Sequence, residues 1–166
     1  SDHVETLRRA LFGTRTDEQL SFVAKPVCGG IARGRVLGGN LSLVAAMLHT
    51  PFCPDLAGSI LLLEDVGEPD YRLDRLFMSI RLSLKGRGIA GIILGQFTDC
   101  GGVYVEDANV PAFVEGLATE FGVSVVSDFP AGHGAHNTSV PMGVMAEIDG
   151  STGRVTFRED AVISLA

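Results

Sequence analysis

Three short apolar stretches constrain this chain more than any other feature: SILLLEDV at 59–66, GIAGIILGQF at 88–97 and VSVVSDF at 123–129. Each is of strand length and bounded by turn formers, the pattern of a strand buried on both faces. Helical stretches separate them. In YRLDRLFMSIRLSL (71–84), Leu73, Leu76, Phe77, Ile80 and Leu84 form an inward stripe, with Arg72, Arg75 and Arg81 elsewhere around it. ANVPAFVEGLATEF (108–121) reads as a second helix, with Pro111 tolerated in its first turn. Strand–helix–strand–helix–strand with buried runs calls for a parallel sheet and crossover helices. The flanking segments at 20–37 and 139–158 read as antiparallel, the latter as a hairpin around GSTG. The expectation is an α/β fold over residues 1–166 as a single domain: a three-layer β/β/α arrangement, with a central mostly parallel sheet and a second antiparallel sheet.

The remaining elements fit around that frame. Residues 3–12 carry Val4, Leu7 and Leu11 on one helical face, with Asp2 as N-cap and Gly13 as stop. SFVAKPV is extended, and Pro26 restricts it to an edge or an end. Asn40 caps LSLVAAMLH, a helix ending before Pro51. Apolar residues make up 46% of the 166 and the net charge is −7, which describes a globular chain and argues against nucleic acid or an anionic membrane surface as partner. No apolar run reaches the roughly 18 residues of a membrane span, so a soluble cytoplasmic protein is expected. Cys28, Cys53 and Cys100 lack CxxC spacing and read as reduced thiols.

Ligands of open parallel sheets bind outside the carboxyl ends of the strands. Two polar clusters fall there: Glu64-Asp65 after the first buried strand, and the glycine loop FPAGHGAHNTS (129–139), with His133 and His136, after the third. If the strands are neighbours, a carboxylate can hold an imidazole through Nδ1–H and leave Nε2 free to take a proton from a nucleophile. The plainer alternative is a surface histidine and a solvated glutamate. HxxH on a loop, with no third ligand in place, is a poor zinc site, and neither metal nor cofactor is expected. His49 reads as a packing or helix-terminal residue, and Gly38-Gly39-Asn40 as a turn and cap rather than an anion site. Arg72, in the first turns of the long helix, is a candidate substrate contact, as is Asn137, which also suits a role in holding its loop.

The motifs GGNLS, LEDVGE followed by YRxDR, and FPxGHGxxN occur in order across residues 25 to 148. In that combination the chain resembles the C-terminal domain of the LD-carboxypeptidase family, serine peptidases that include the microcin C immunity peptidases. The resemblance implies a swivelling β/β/α fold and a Ser–Glu–His triad, with the glutamate at Glu64 and the histidine at His133. It implies a homodimer, no metal, and removal of the terminal D-Ala from muropeptide tetrapeptides in cell-wall recycling, the substrate being a small peptide.

The family's serine lies in a separate N-terminal domain, in a glycine-tyrosine-serine-aspartate turn. No such turn occurs in residues 1–166. The expectation is therefore that this chain carries two members of the triad, lacks the Ser-bearing domain as its partner, and is not a competent peptidase alone. The alternatives are an immunity-type peptidase acting on acyl adenylates and a non-catalytic ligand-binding module of the same fold.

Overall fold

A computed structural model of the protein describes residues 2–12, 20–101 and 110–160. The elements run α1 (Asp2–Phe12), β1 (Ser21–Val23), β2 (Lys25–Cys28), β3 (Ile31–Asn40), α2 (Leu41–Met47), β4 (Ile60–Val66), α3 (Asp70–Leu84), β5 (Gly91–Thr98), α4 (Val110–Phe121), β6 (Ser124–Ser127), β7 (Met145–Asp149) and β8 (Arg154–Phe157). The strand order is β1-β8-β7-β3-β4-β5-β6-β2. Strands β3, β4, β5 and β6 are mutually parallel, as the three apolar runs require.

β3 joins the parallel and antiparallel parts. Its first half, Ile31 to Arg35, pairs antiparallel with β7, and its second half, Val36 to Asn40, pairs parallel with β4. The expected two sheets are thus one continuous order that turns over on itself at β3. Alternation along each buried strand then fills two cores. Ile60, Leu62, Ile93 and Val126 pack with Ala32, Ile148, Val155 and Phe157 of the antiparallel part. Leu61, Leu63, Ile92 and Leu94 face the other way, against Leu73, Phe77 and Ile80 of α3 and Val114 of α4. Each such fully buried aliphatic side chain contributes about 1.5–3 kcal/mol relative to exposure. The layering is β/β/α.

Some local expectations shift. SFVAKPV is not one strand. It breaks at Ala24, whose N–H donates to the Gly153 carbonyl at 2.8 Å. β1 then pairs with β8 at one end of the order and β2 with β6 at the other. Pro26 falls on β2, an edge strand, where its missing N–H costs nothing. The closing hairpin begins at Met145 rather than Ser139, and α2 ends at Met47. Pro111 is the second residue of α4. α1 includes Asp2, whereas Gly13 lies outside the described residues. No helix among the described residues is long and apolar enough to cross a membrane.

Candidate active site

The carboxyl ends of β4 and β5, with the loop after β6, assemble the site. Along β4 the last polar residues point to opposite faces, as strand geometry demands. The pairing of β4 with β5 carries a bulge at this level: Leu63 faces Leu94 and Asp65 faces Phe97, so Glu64 alone stands opposite both Gly95 and Gln96.

The loop after β6 is pinned to the end of β5. Phe129 is fully buried and its N–H donates to the Leu94 carbonyl at 3.0 Å. The Gln96 N–H donates to Ala131 O at 2.8 Å, and Gln96 and Gly132 form a parallel bridge. The Thr138 N–H closes back on Pro130 O at 2.7 Å. Asn137 accepts the Gly132 N–H on Oδ1 at 3.3 Å, so it holds the loop. Gly132 has φ +124, and a β-carbon there would come within 2.9 Å of Glu64 Oε2. Only glycine lets the backbone pass so close to the carboxylate.

That path brings Nδ1 of His133 to 2.8 Å from Oε2 of Glu64. The Glu64 side chain is 10% exposed and the imidazole 53%. A carboxylate can only accept, so Nδ1 carries the proton in this contact. In the neutral imidazole Nε2 then presents a lone pair, on a ring that is half exposed. Such a pair can abstract a proton from a nucleophile and return it to a leaving group. Among the described residues no serine hydroxyl is hydrogen-bonded to His133; the His49 ring instead meets Ser83 Oγ at 2.9 Å, tying the turn after α2 to α3.

Asp65, next in sequence to Glu64, belongs to a different cluster. Its Oδ1 accepts from Asn40 Nδ2 at 2.8 Å and from Val66 N at 2.9 Å, and its Oδ2 from Ser42 N at 3.1 Å and Ser42 Oγ at 2.9 Å. Asn40 also caps α2, its Oδ1 accepting the Leu43 N–H. This buried carboxylate therefore fastens the start of α2 to the end of β4. Ser42 Oγ lies 3.0 Å from Glu68 Oε1 as well, and Arg72 Nε is 3.2 Å from Glu68 Oε2. Arg72 thus sits in an ion pair with Glu68, while Glu64 and His133 contact each other. Burial pushes the thiol of nearby Cys100 above its ordinary range, the charges of Asp65 and Glu68 adding to the effect.

The Ser42–Asp65 link was not readable from the sequence, although Asn40 as a cap was a partial signal. Gln96 gave none, because a bulge leaves no periodicity. An apolar cavity of about 480 Å³, lined by Leu37, Leu43, Val44, Met47, Leu56 and Met142 among others, lies on the α2 side and includes neither Glu64 nor His133. Among the described residues no group of three His, Cys, Asp or Glu side chains is arranged to hold a metal ion.

Comparison with known proteins agrees with this architecture. The model of the LD-carboxypeptidase C-terminal domain matches residues 33–148. The murein tetrapeptide carboxypeptidase of Pseudomonas aeruginosa is 40% identical over 124 residues, covering 71% of this chain and 38% of its own length. A Streptomyces coelicolor relative is 38% identical over 161 residues, 96% of this chain and 51% of that protein. The chain therefore spans between about two-fifths and half of the length of these two relatives. Among solved structures, muramoyltetrapeptide carboxypeptidase from Oxalobacter formigenes superposes with a TM-score of 0.75 at 25% identity, covering 95% of this chain and 54% of that one. The microcin C7 self-immunity protein MccF, in complex with aspartyl sulfamoyl adenosine, shares the fold with a TM-score of 0.79 at 18% identity, over 96% of this chain and 56% of the other.

Proposed function

This chain belongs to the LD-carboxypeptidase C-terminal domain family, and from that premise we propose that it supplies the glutamate and histidine of a Ser–Glu–His triad. The enzyme so completed is a serine peptidase that hydrolyses the terminal D-Ala from muropeptide tetrapeptides. The observation that carries this reading is the 2.8 Å contact between His133 Nδ1 and the buried Glu64 carboxylate.

In the proposed cycle, Glu64 holds the imidazole with its proton on Nδ1 and stabilises the imidazolium that forms. His133 Nε2 takes the serine proton as Oγ attacks the carbonyl carbon. The amide C–N bond breaks, and Nε2 returns that proton to the departing D-Ala amine. Nε2 then takes a proton from water as its oxygen attacks the acyl ester, the bond from the acyl carbon to the serine Oγ breaks, and Nε2 returns the proton to Oγ. The serine comes from outside residues 1–166, because the glycine-tyrosine-serine-aspartate turn does not occur in them. Triad members act as a unit, so the chain alone has no acyl-enzyme route. The family resemblance also supports a homodimer working in the cytoplasm on small peptides. Asn137 and Arg72 take part through the loop and the Glu68 pair that they hold.

The test is D-Ala release from a murein tetrapeptide, by the chain alone and with the family's Ser-bearing N-terminal domain added, separately or fused. Turnover only in the presence of that domain, abolished by His133→Ala, is the expected result. Turnover that survives His133→Ala overturns the reading, and so does activity of the chain alone through one of its own serines. An acyl adenylate offered in parallel distinguishes the immunity-type substrate from the muropeptide.

A further inference from the structure

His133 makes one side-chain hydrogen bond among the described residues, to Glu64, and its ring is half exposed. The orientation of the imidazole therefore depends on how firmly its own backbone is held. Both backbone neighbours of His133 rest on one residue, Gln96. Gly132, on the amino side, forms the parallel bridge with Gln96. Gly134, on the carboxyl side, lies so close to the Gln96 side chain that a β-carbon there would run into the carboxamide. Gly134 is absent from the glycines with positive φ, so space and not backbone conformation demands glycine at this position.

Gln96 is one of the two β5 residues that the bulge sets opposite Glu64. Its Oε1 is buried and has no hydrogen-bond partner among the described residues. An orphaned buried oxygen is rare in folded proteins and calls for a reason. Burial below Gly134 is the reason the geometry offers. The carboxamide fills the space under the loop.

We propose that Gln96 is the positioning residue for His133: its side chain wedges under Gly134 and, with the bridge to Gly132, holds the imidazole against Glu64. This rests on the reading of Glu64 and His133 as an acid–base pair. The main-chain bridge survives substitution of Gln96, so the side-chain wedge can be removed by itself.

Long-range proton–nitrogen spectra of the imidazole, recorded on this chain with the ring neutral, report which ring nitrogen carries the proton and require no turnover. Wild type is expected in the Nδ1–H form that donates to Glu64. Gln96→Ala, shown by its melting curve to be folded, is expected to revert to the Nε2–H form usual for a free histidine. Gln96→Met, similar in length and bulk, is expected to restore Nδ1–H. With the Ser-bearing domain present, Gln96→Ala should lower kcat by about 10²-fold with KM unchanged, the cost of a misplacement of about 1 Å. An unchanged tautomer in Gln96→Ala overturns the proposal. So does loss of Nδ1–H in both variants, which would assign the dependence to the polarity of the amide and not its bulk. A wild-type Nε2–H form would instead sink the acid–base reading on which the proposal rests.

Discussion

Nδ1 of His133 and Oε2 of Glu64 meet at 2.8 Å across 69 residues of sequence. The contact joins the end of one parallel strand to a loop leaving another, with β5 between them. It exists because the loop is stitched to β5 through Phe129, Ala131 and Gly132, and because Gly132 leaves room for the carboxylate.

Replacing Glu64 with glutamine keeps the shape and removes the charge. The amide can offer its N–H to Nδ1 and so select the wrong tautomer. For the enzyme assembled with its serine, kcat should fall by roughly 10⁴-fold, the order seen when a triad carboxylate becomes an amide. D-Ala release under saturating substrate measures it. A loss of less than threefold would mean that the carboxylate does not orient the ring.

Gly132→Ala combines two penalties, a β-carbon at φ +124 and a 2.9 Å approach to Glu64 Oε2. The backbone term alone is about 1–3 kcal/mol. Urea unfolding should show a destabilisation of at least that order. An unaltered midpoint would show that the loop has another path.

Glu147 on β7 accepts from Arg33 Nε at 2.6 Å and Arg158 Nη2 at 2.8 Å. The Arg33 hydrogen bond first, and Arg158 second, hold its carboxyl below the ordinary value of 4.5. Because the folded value is the lower one, the stabilisation is complete above the ordinary value and fades as pH falls through the folded one. Melting temperatures of wild type and Glu147→Gln should therefore differ at neutral pH and converge in acid. Curves that stay parallel below pH 4.5 would count against the coupling.

Cys100 should be an unreactive thiol near neutrality. Burial raises its pKa, and the neighbouring carboxylates raise it further, whereas the thiolate is the nucleophile. Iodoacetamide modification followed by mass spectrometry should be much slower at Cys100 than at a cysteine in an unstructured peptide at about pH 8, and should accelerate only in more alkaline buffer. Rapid labelling at neutral pH would show that the site is more open than its geometry implies.

The parallel sheet was legible because its signal is local. ILLL, GIILG and VSVV announce strands buried on both sides, and the leucines of 71–84 announce the helix between two of them. Glu64 and His133 were legible as candidates from their place at strand ends. What stayed hidden depends on partners. Ser21–Val23 and Lys25–Cys28 read as one extended segment, and only the location of β8 and β6 sends them to opposite ends of the order. Glu64 and Asp65 read as one acidic pair, yet strand alternation assigns them to separate clusters. Gln96 became visible only with the bulge opposite Glu64, because a single extra residue leaves no trace in the hydrophobic pattern.

The divided pairing of β3 also sets a timetable for the newborn chain. Val36 to Asn40 can find β4 once about thirty residues have been added, but Ile31 to Arg35 must wait for β7, and Arg33 for a partner 114 residues downstream. Until then Ile60, Leu62, Ile93 and Val126 have no covering sheet. A ribosome-bound chain halted before residue 145 should consequently display a sticky apolar face to chaperones, and lose it when the last hairpin is released.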